Sequence, residues 1–185
     1  MRRYYYTVST LPMLSFDGEA PFSLEEFHEM CRGNIAEEDF ARLTEVQLEP
    51  NTEKIETGES VFEPLAKWWE WETALRNELT GYRSQKLGWE GDAYVREGEV
   101  VTGILEVARN AASQESPLQA EELLDRARWD FLDQLETGRF FEFTNLVVYS
   151  LKLQLLLRRG LFTRERGEEN FQEIYRTVRE DIQTA

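Results

Sequence analysis

The sequence predicts a mainly α protein, a helical bundle with a short extended N-terminal segment. Apolar residues recur three or four positions apart through most of its 185 residues, which is the spacing of one helix face. Capping signals precede several of these segments. No alternating pattern typical of strands is found beyond residue 10. These observations favour helices packed on helices over any sheet architecture.

The first part of the chain predicts two short helices set among loops. Residues 1–22 contain three consecutive tyrosines and then proline and glycine, which indicates an extended start followed by a loop. The segment 23–26, Ser-Leu-Glu-Glu, has the pattern of a capping box and predicts a helix that reaches about Cys31. A second helix is expected over 36–46. Residues 51–60 are polar and predict a loop.

The middle of the chain predicts three further helices. A long amphipathic helix is expected from Pro64, and Gly88 should end it. Another is expected over 100–112. The segment 116–119, Ser-Pro-Leu-Gln, combines an N-cap serine, a first-turn proline and a capping-box glutamine, so the next helix should run from here to near Gly138. Its buried stripe is expected to contain Ala120, Leu123, Leu124, Ala127, Phe131 and Leu135.

The helix predicted over 146–158 is apolar on nearly all sides, which is typical of a helix at the centre of a bundle. A final amphipathic helix is expected over 171–182. We therefore interpret residues 1–185 as one helical domain, with a possible subdivision near 88–99 where glycines interrupt the helical pattern.

The charge balance argues against nucleic acid as a partner. The chain has 36 acidic and 21 basic side chains, a formal net charge of -15, which repels nucleic acid and anionic membranes. Residues 15–80 carry -12 of this charge. No signal-peptide pattern is visible, and the longest apolar segment is too short to span a bilayer. We expect a cytoplasmic protein without direct membrane insertion.

One histidine and one cysteine restrict the chemistry available to the chain. Glu25 and His28 have the Glu-x-x-His spacing of di-iron bundles, but that site needs a second such histidine. His28 and Cys31 are three residues apart and could form a thiolate pair. A free cysteine is more often a small buried apolar residue. We therefore predict no catalytic residue, no metal site and no cofactor.

Three of the five tryptophans fall within residues 68–71. Trp68 and Trp71 share the apolar stripe of the long helix, whereas Trp69 lies about 100° from Trp68, at the edge of that stripe. Trp69 is thus a candidate partner-binding residue, and an extension of the core is the alternative. Trp129 presents the same choice, because it projects away from the predicted stripe of its own helix.

The order of these features resembles a small uncharacterised family that is encoded with bacterial V-type ATPase proteins. Residues 4–12, Tyr-Tyr-Tyr-Thr-Val-Ser-Thr-Leu-Pro, together with Leu-Ser-Phe-Asp at 14–17, look like the start of that family. Segments within 72–88 and 140–159 look like the C-type adaptor of V/A-type ATPases, the helical protein that joins their rotor ring to their central stalk. The chain is similar to a shortened C-type adaptor.

The resemblance implies a mainly helical, non-catalytic adaptor between the rotor ring and the central stalk. It implies V-type ATPase rotor or central-stalk subunits as partners, with the chain held peripherally at the membrane through that complex. Tyr4 and Tyr5 lie in the most specific segment and join Trp69 and Trp129 as candidate partner-binding residues. Two other functions stay open: an enzyme that uses carboxylates in a cleft between helices, and a freestanding helical interaction module.

Overall fold

The computed structural model describes residues 3–57, 59, 61–88 and 103–161. This part of the chain is mainly helical, which confirms the predicted fold class, and its one β-type pairing is an isolated bridge between Arg3 and Glu142. The helices are α1 (Tyr5–Thr10), α2 (Leu24–Cys31), α3 (Glu37–Thr44), α4 (Thr52–Glu56), α5 (Glu63–Leu87), α6 (Ile104–Ala112), α7 (Pro117–Glu136) and α8 (Phe143–Leu161).

Helix α8 lies at the centre of the bundle, as its apolar composition predicts. It contacts α2, α3, α5 and α7. Four of its leucines are fully buried: Leu146, Leu151, Leu153 and Leu155. Burying a leucine side chain contributes about 1.5–3 kcal/mol, so α8 supplies a large share of the core.

Helices α5, α6 and α7 pack in sequence order, α5 on α6 and α6 on α7. Pro64 lies in the first turn of α5, and Gly88 ends the helix with φ +68°, a left-handed conformation that glycine adopts without a Cβ clash. Both predicted boundaries are confirmed. Within the predicted helix 100–112, the described residues are helical from Ile104.

Two segments predicted as irregular are helical instead. The extended start is wrong for residues 5–10, which form α1 and bury Thr7. Its serine and threonine side chains donate to carbonyls of the preceding turn, as Ser9 does to Tyr6 at 3.1 Å. The predicted loop over 51–60 contains α4, which begins where the Asn51 side chain accepts the Lys54 N–H at 3.1 Å. In both places local side-chain hydrogen bonds support a turn of helix that weak strand and loop propensities did not indicate.

The two predicted capping boxes have different outcomes. At α2 the box is present: the Ser23 hydroxyl accepts the Glu26 N–H at 3.2 Å, and the Glu26 carboxylate accepts the Ser23 N–H at 2.8 Å. At α7 the Ser116 side chain makes no capping hydrogen bond, although the helix begins at Pro117 as predicted. Proline already lacks one of the N–H groups that a cap would satisfy.

The buried face of α7 is rotated from the predicted stripe. Leu124 and Leu135 are buried as expected, but Leu123 is exposed and both Trp129 and Leu132 are buried. The reason is that α7 packs against α6 and α8 together, so that burial covers a wider arc than one amphipathic stripe.

The final helix predicted over 171–182 lies outside the described residues, as does most of the possible subdivision at 88–99. The one-domain interpretation therefore stays a prediction. No helix in the described ranges is both long and apolar enough to cross a membrane.

Candidate partner-binding site

The residues that precede α2 form a strap, residues 4–17, that is anchored at both ends. At the first anchor, Tyr4 is buried and its hydroxyl donates to the Asp39 carboxylate on α3. The Tyr4 backbone N–H donates to the Phe141 carbonyl at 2.6 Å. These contacts fix the start of the strap against the turn between α7 and α8.

An aromatic patch forms where the strap meets this turn, and it consists of Tyr5, Phe140 and Phe141. Tyr5 is 50% exposed and Phe140 is 71% exposed. The rings of Tyr5 and Phe141 lie 4.7 Å apart between centroids. Phe141 has φ +59°, which costs a residue with a Cβ roughly 1–2 kcal/mol. The Tyr4 hydrogen bond and the ring contact hold this turn, so the patch is positioned before any partner arrives.

Phe16 anchors the other end of the strap. Its ring lies between the guanidinium groups of Arg126 and Arg159, which are 3.8 and 3.9 Å from the ring centroid. Trp129 packs edge-on against it at 5.8 Å, and Arg159 also donates to the Phe16 carbonyl. Such cation–π pairs contribute about 0.5–2 kcal/mol each. The strap is thereby tied to α7 and α8.

Between the two anchors the strap borders an open cleft of about 650 Å³, which α7 and α8 line on the other side. Met13 lies on the strap with 94% of its surface exposed. The cleft carries acidic side chains along α7, and Lys152 of α8 lies among them. Lys152 donates to Asp133 at 2.5 Å and to Glu136 at 2.8 Å.

The structure places the four predicted site residues in different environments. Trp69 is 5% exposed and Trp129 is 6% exposed, so both occupy the core, which is the alternative that the sequence left open. Tyr4 is buried as an anchor, and Tyr5 presents half of its surface. Only Tyr4 and Tyr5 lie at the aromatic patch, and partner binding by all four stays a prediction.

A buried ion network lies between α5, α7 and α8. The Glu72 carboxylate accepts from Arg128 through both of its oxygens, at 2.9 and 3.0 Å, and from Arg76 at 2.8 Å. Asp125 accepts from Arg128 at 2.9 Å and from Arg158. Burial opposes the charge on Arg128, but the two carboxylates outweigh it, so that the pKa of the guanidinium is raised. Both acids and Arg128 are thus fully charged and structural.

Sequence analysis missed this network because the chain has 36 acidic residues and no single one stands out. A usable signal was present in the register. Glu72 falls four residues after Trp68 and three before Leu75, within the apolar stripe of α5, and Arg128 falls four residues after Leu124 on α7. Charged residues within an apolar stripe indicate a buried pair.

The two residues considered for thiol chemistry are not poised for it. Burial raises the pKa of the Cys31 thiol to about 12, so the thiol is protonated at neutral pH. Burial and then the charge of Arg32 lower the pKa of His28. Within the described part of the chain, no group of three or more histidine, cysteine, aspartate or glutamate residues could hold a metal ion.

Comparison with known proteins gives one match. Residues 98–182 are similar to a family described as a protein of unknown function, DUF2764. Among the described residues, the match includes α6, α7 and α8, and therefore Phe140, Phe141 and three of the four central members of the ion network. No curated protein matches the chain, and no solved structure does.

Proposed function

We propose that this chain is a non-catalytic component or accessory protein of a V-type ATPase, an adaptor similar to the C-type adaptor that docks on rotor or central-stalk subunits. The observation that carries the docking role is the aromatic patch, which is exposed to solvent yet held in place by buried contacts. The partner class comes from the resemblance of residues 4–17, 72–88 and 140–159 to proteins of that complex.

The patch has the properties of an interface anchor. Aromatic side chains dominate binding energy when a partner covers them, and Phe140 and Tyr5 both leave large apolar surfaces in water. Because the Tyr4 anchor and the Phe141 turn already order the patch, docking loses little further conformational entropy. A rigid aromatic surface of this kind supports a binding role.

The charge of the chain supports the same role. A net charge of -15 attracts basic surfaces and speeds encounter with them, and this attraction weakens as salt rises. Basic loops of a stalk or rotor ring would be complementary to it.

The alternative of a carboxylate-using enzyme gains no support from the two most buried acids. Glu72 and Asp125 are engaged by arginines on every side that the structure describes, so neither is free to move a proton. The docking role is therefore the one function proposed.

The test is capture of the ATPase from cells of the source organism. A tagged chain should recover rotor or central-stalk subunits, identified by mass spectrometry, and the recovered amount should fall as salt rises. The double variant Tyr5→Ala/Phe140→Ala should recover at least tenfold less, which corresponds to about 1.4 kcal/mol.

The matched control is Leu118→Ala. Leu118 is another exposed apolar residue, at the start of α7, whereas the patch follows its end. Twenty helical residues separate the two places by about 30 Å. Recovery of no rotor or stalk protein by the wild-type chain would overturn the proposal.

A further inference from the structure

The cleft beside the strap is a separate feature from the aromatic patch. One wall is the strap around Met13 and Leu14, and the other is formed by α7 at Trp129 and Asp130 and by α8 at Tyr149. Its volume of about 650 Å³ lies within the roughly 300–1,000 Å³ typical of binding pockets. It is large enough to receive several side chains of another molecule.

The apolar part of the cleft is adaptable. Met13 is 94% exposed, and its unbranched thioether can adjust to an incoming apolar group. Leu14 and Tyr149 are partly buried along the same cleft. Tyr149 is fixed because its hydroxyl donates to the Pro12 carbonyl at 3.0 Å. A mobile apolar side chain therefore faces a fixed aromatic one.

The charged part of the cleft favours a cation. Its lining holds four carboxylates and two cations. Both cations already have partners, since Lys152 binds Asp133 and Glu136 and Arg126 stacks on Phe16. Asp130 is exposed and forms no ion pair with any residue that the structure describes. The cleft thus presents an unpaired carboxylate beside apolar surface.

We infer that this cleft binds a basic, apolar peptide segment of a partner protein, whose lysine or arginine pairs with Asp130 while its aliphatic side chain packs on Met13. Charge complementarity selects this occupant, because an acidic or purely polar segment would leave either the carboxylate or the methionine without a partner. The inference deepens the proposed function and rests on it, since it assumes that the chain is a docking protein.

The experiment uses the full chain and a short fluorescein-labelled peptide of alternating lysine and leucine, with fluorescence anisotropy as the readout. Wild-type protein should bind one peptide saturably. Met13→Ala and Asp130→Lys should each weaken binding tenfold or more. Because both side chains are exposed, both variants should melt like wild type by circular dichroism.

The control variant is Glu106→Lys, which makes the same charge change at an exposed residue of α6, outside the cleft. It should retain binding within twofold. A loss equal to that of Asp130→Lys would show attraction to net charge alone and would overturn the inference. Two control peptides complete the design, with glutamate in place of lysine or glycine in place of leucine, and tight binding of either would also overturn it.

A second copy of this chain is the competing occupant, and sedimentation velocity tests it. A dimer that the peptide dissociates would assign the cleft to self-association and overturn the inference. Failure here is distinct from failure of the proposed function. Cleft variants that still capture ATPase proteins refute the cleft alone, whereas saturable peptide binding without ATPase capture refutes the ATPase role alone.

Discussion

Replacing Glu72 with glutamine should destabilise the fold more than any surface change of the same kind. The substitution keeps the shape of the side chain and removes its charge. Glu72 is 1% exposed and accepts three hydrogen bonds from two guanidinium groups, at 2.8, 2.9 and 3.0 Å. Without this carboxylate, the buried Arg128 keeps Asp125 as its remaining close counter-charge. Removing one partner of a buried ion pair costs about 3–5 kcal/mol.

Thermal and urea unfolding would measure this loss. A change of 1 kcal/mol shifts the melting temperature of a chain of this size by roughly 2–4 °C, so the melting temperature should fall by roughly 6–20 °C. The loss is a large part of a typical total stability of about 5–15 kcal/mol. Glu70→Gln is the matched control, because Glu70 is an exposed residue of the same helix and its change should stay within about 0.5 kcal/mol.

A double-mutant cycle completes the test. Glu72→Gln and Arg128→Met together should cost less than the sum of the two single variants, because each removes the same ion pair. A loss below about 1 kcal/mol for Glu72→Gln in a folded protein would refute the assignment of a buried, charged network, since a pair of this burial should cost several times more.

Three further predictions follow from buried groups. The Cys31 thiol should stay unmodified by iodoacetamide in native buffer and react once urea unfolds the chain; rapid native labelling would contradict its burial and its pKa of about 12. Because the pKa of His28 is lowered on folding, stability should be complete above the unfolded value of about 6.5 and decline as pH falls below it. Urea midpoints at about pH 7.5 and 5.5 should therefore differ less in His28→Gln than in wild type, and an equal difference would exclude His28 as the cause. Trp69→Ala should cost about 3–5 kcal/mol, with ATPase capture falling only as the folded fraction falls; capture lost by a fully folded variant would place a partner on Trp69.

The helices of the bundle follow from local sequence wherever the signal is local. Pro64 and Gly88 bound α5 because each restricts or permits backbone angles within its own turn. The serine and glutamate at 23 and 26 satisfy each other's backbone groups, so α2 begins there whatever surrounds it. An apolar surface on all sides of α8 could be buried only at the centre. These features needed no knowledge of neighbouring elements.

The burial of the tryptophans and the candidate site depended on contacts between distant residues. Trp129 is buried because Phe16, 113 positions earlier, packs against its ring, and no helical stripe within α7 encodes that contact. The aromatic patch likewise needs Tyr5 beside Phe141. Sequence periodicity reports which face of one helix is apolar, whereas packing decides what covers the other faces. The sequence alone therefore determined the helical class and the central helix, and only tertiary packing decided that Trp69 and Trp129 are core while Tyr5 and Phe140 form the exposed surface.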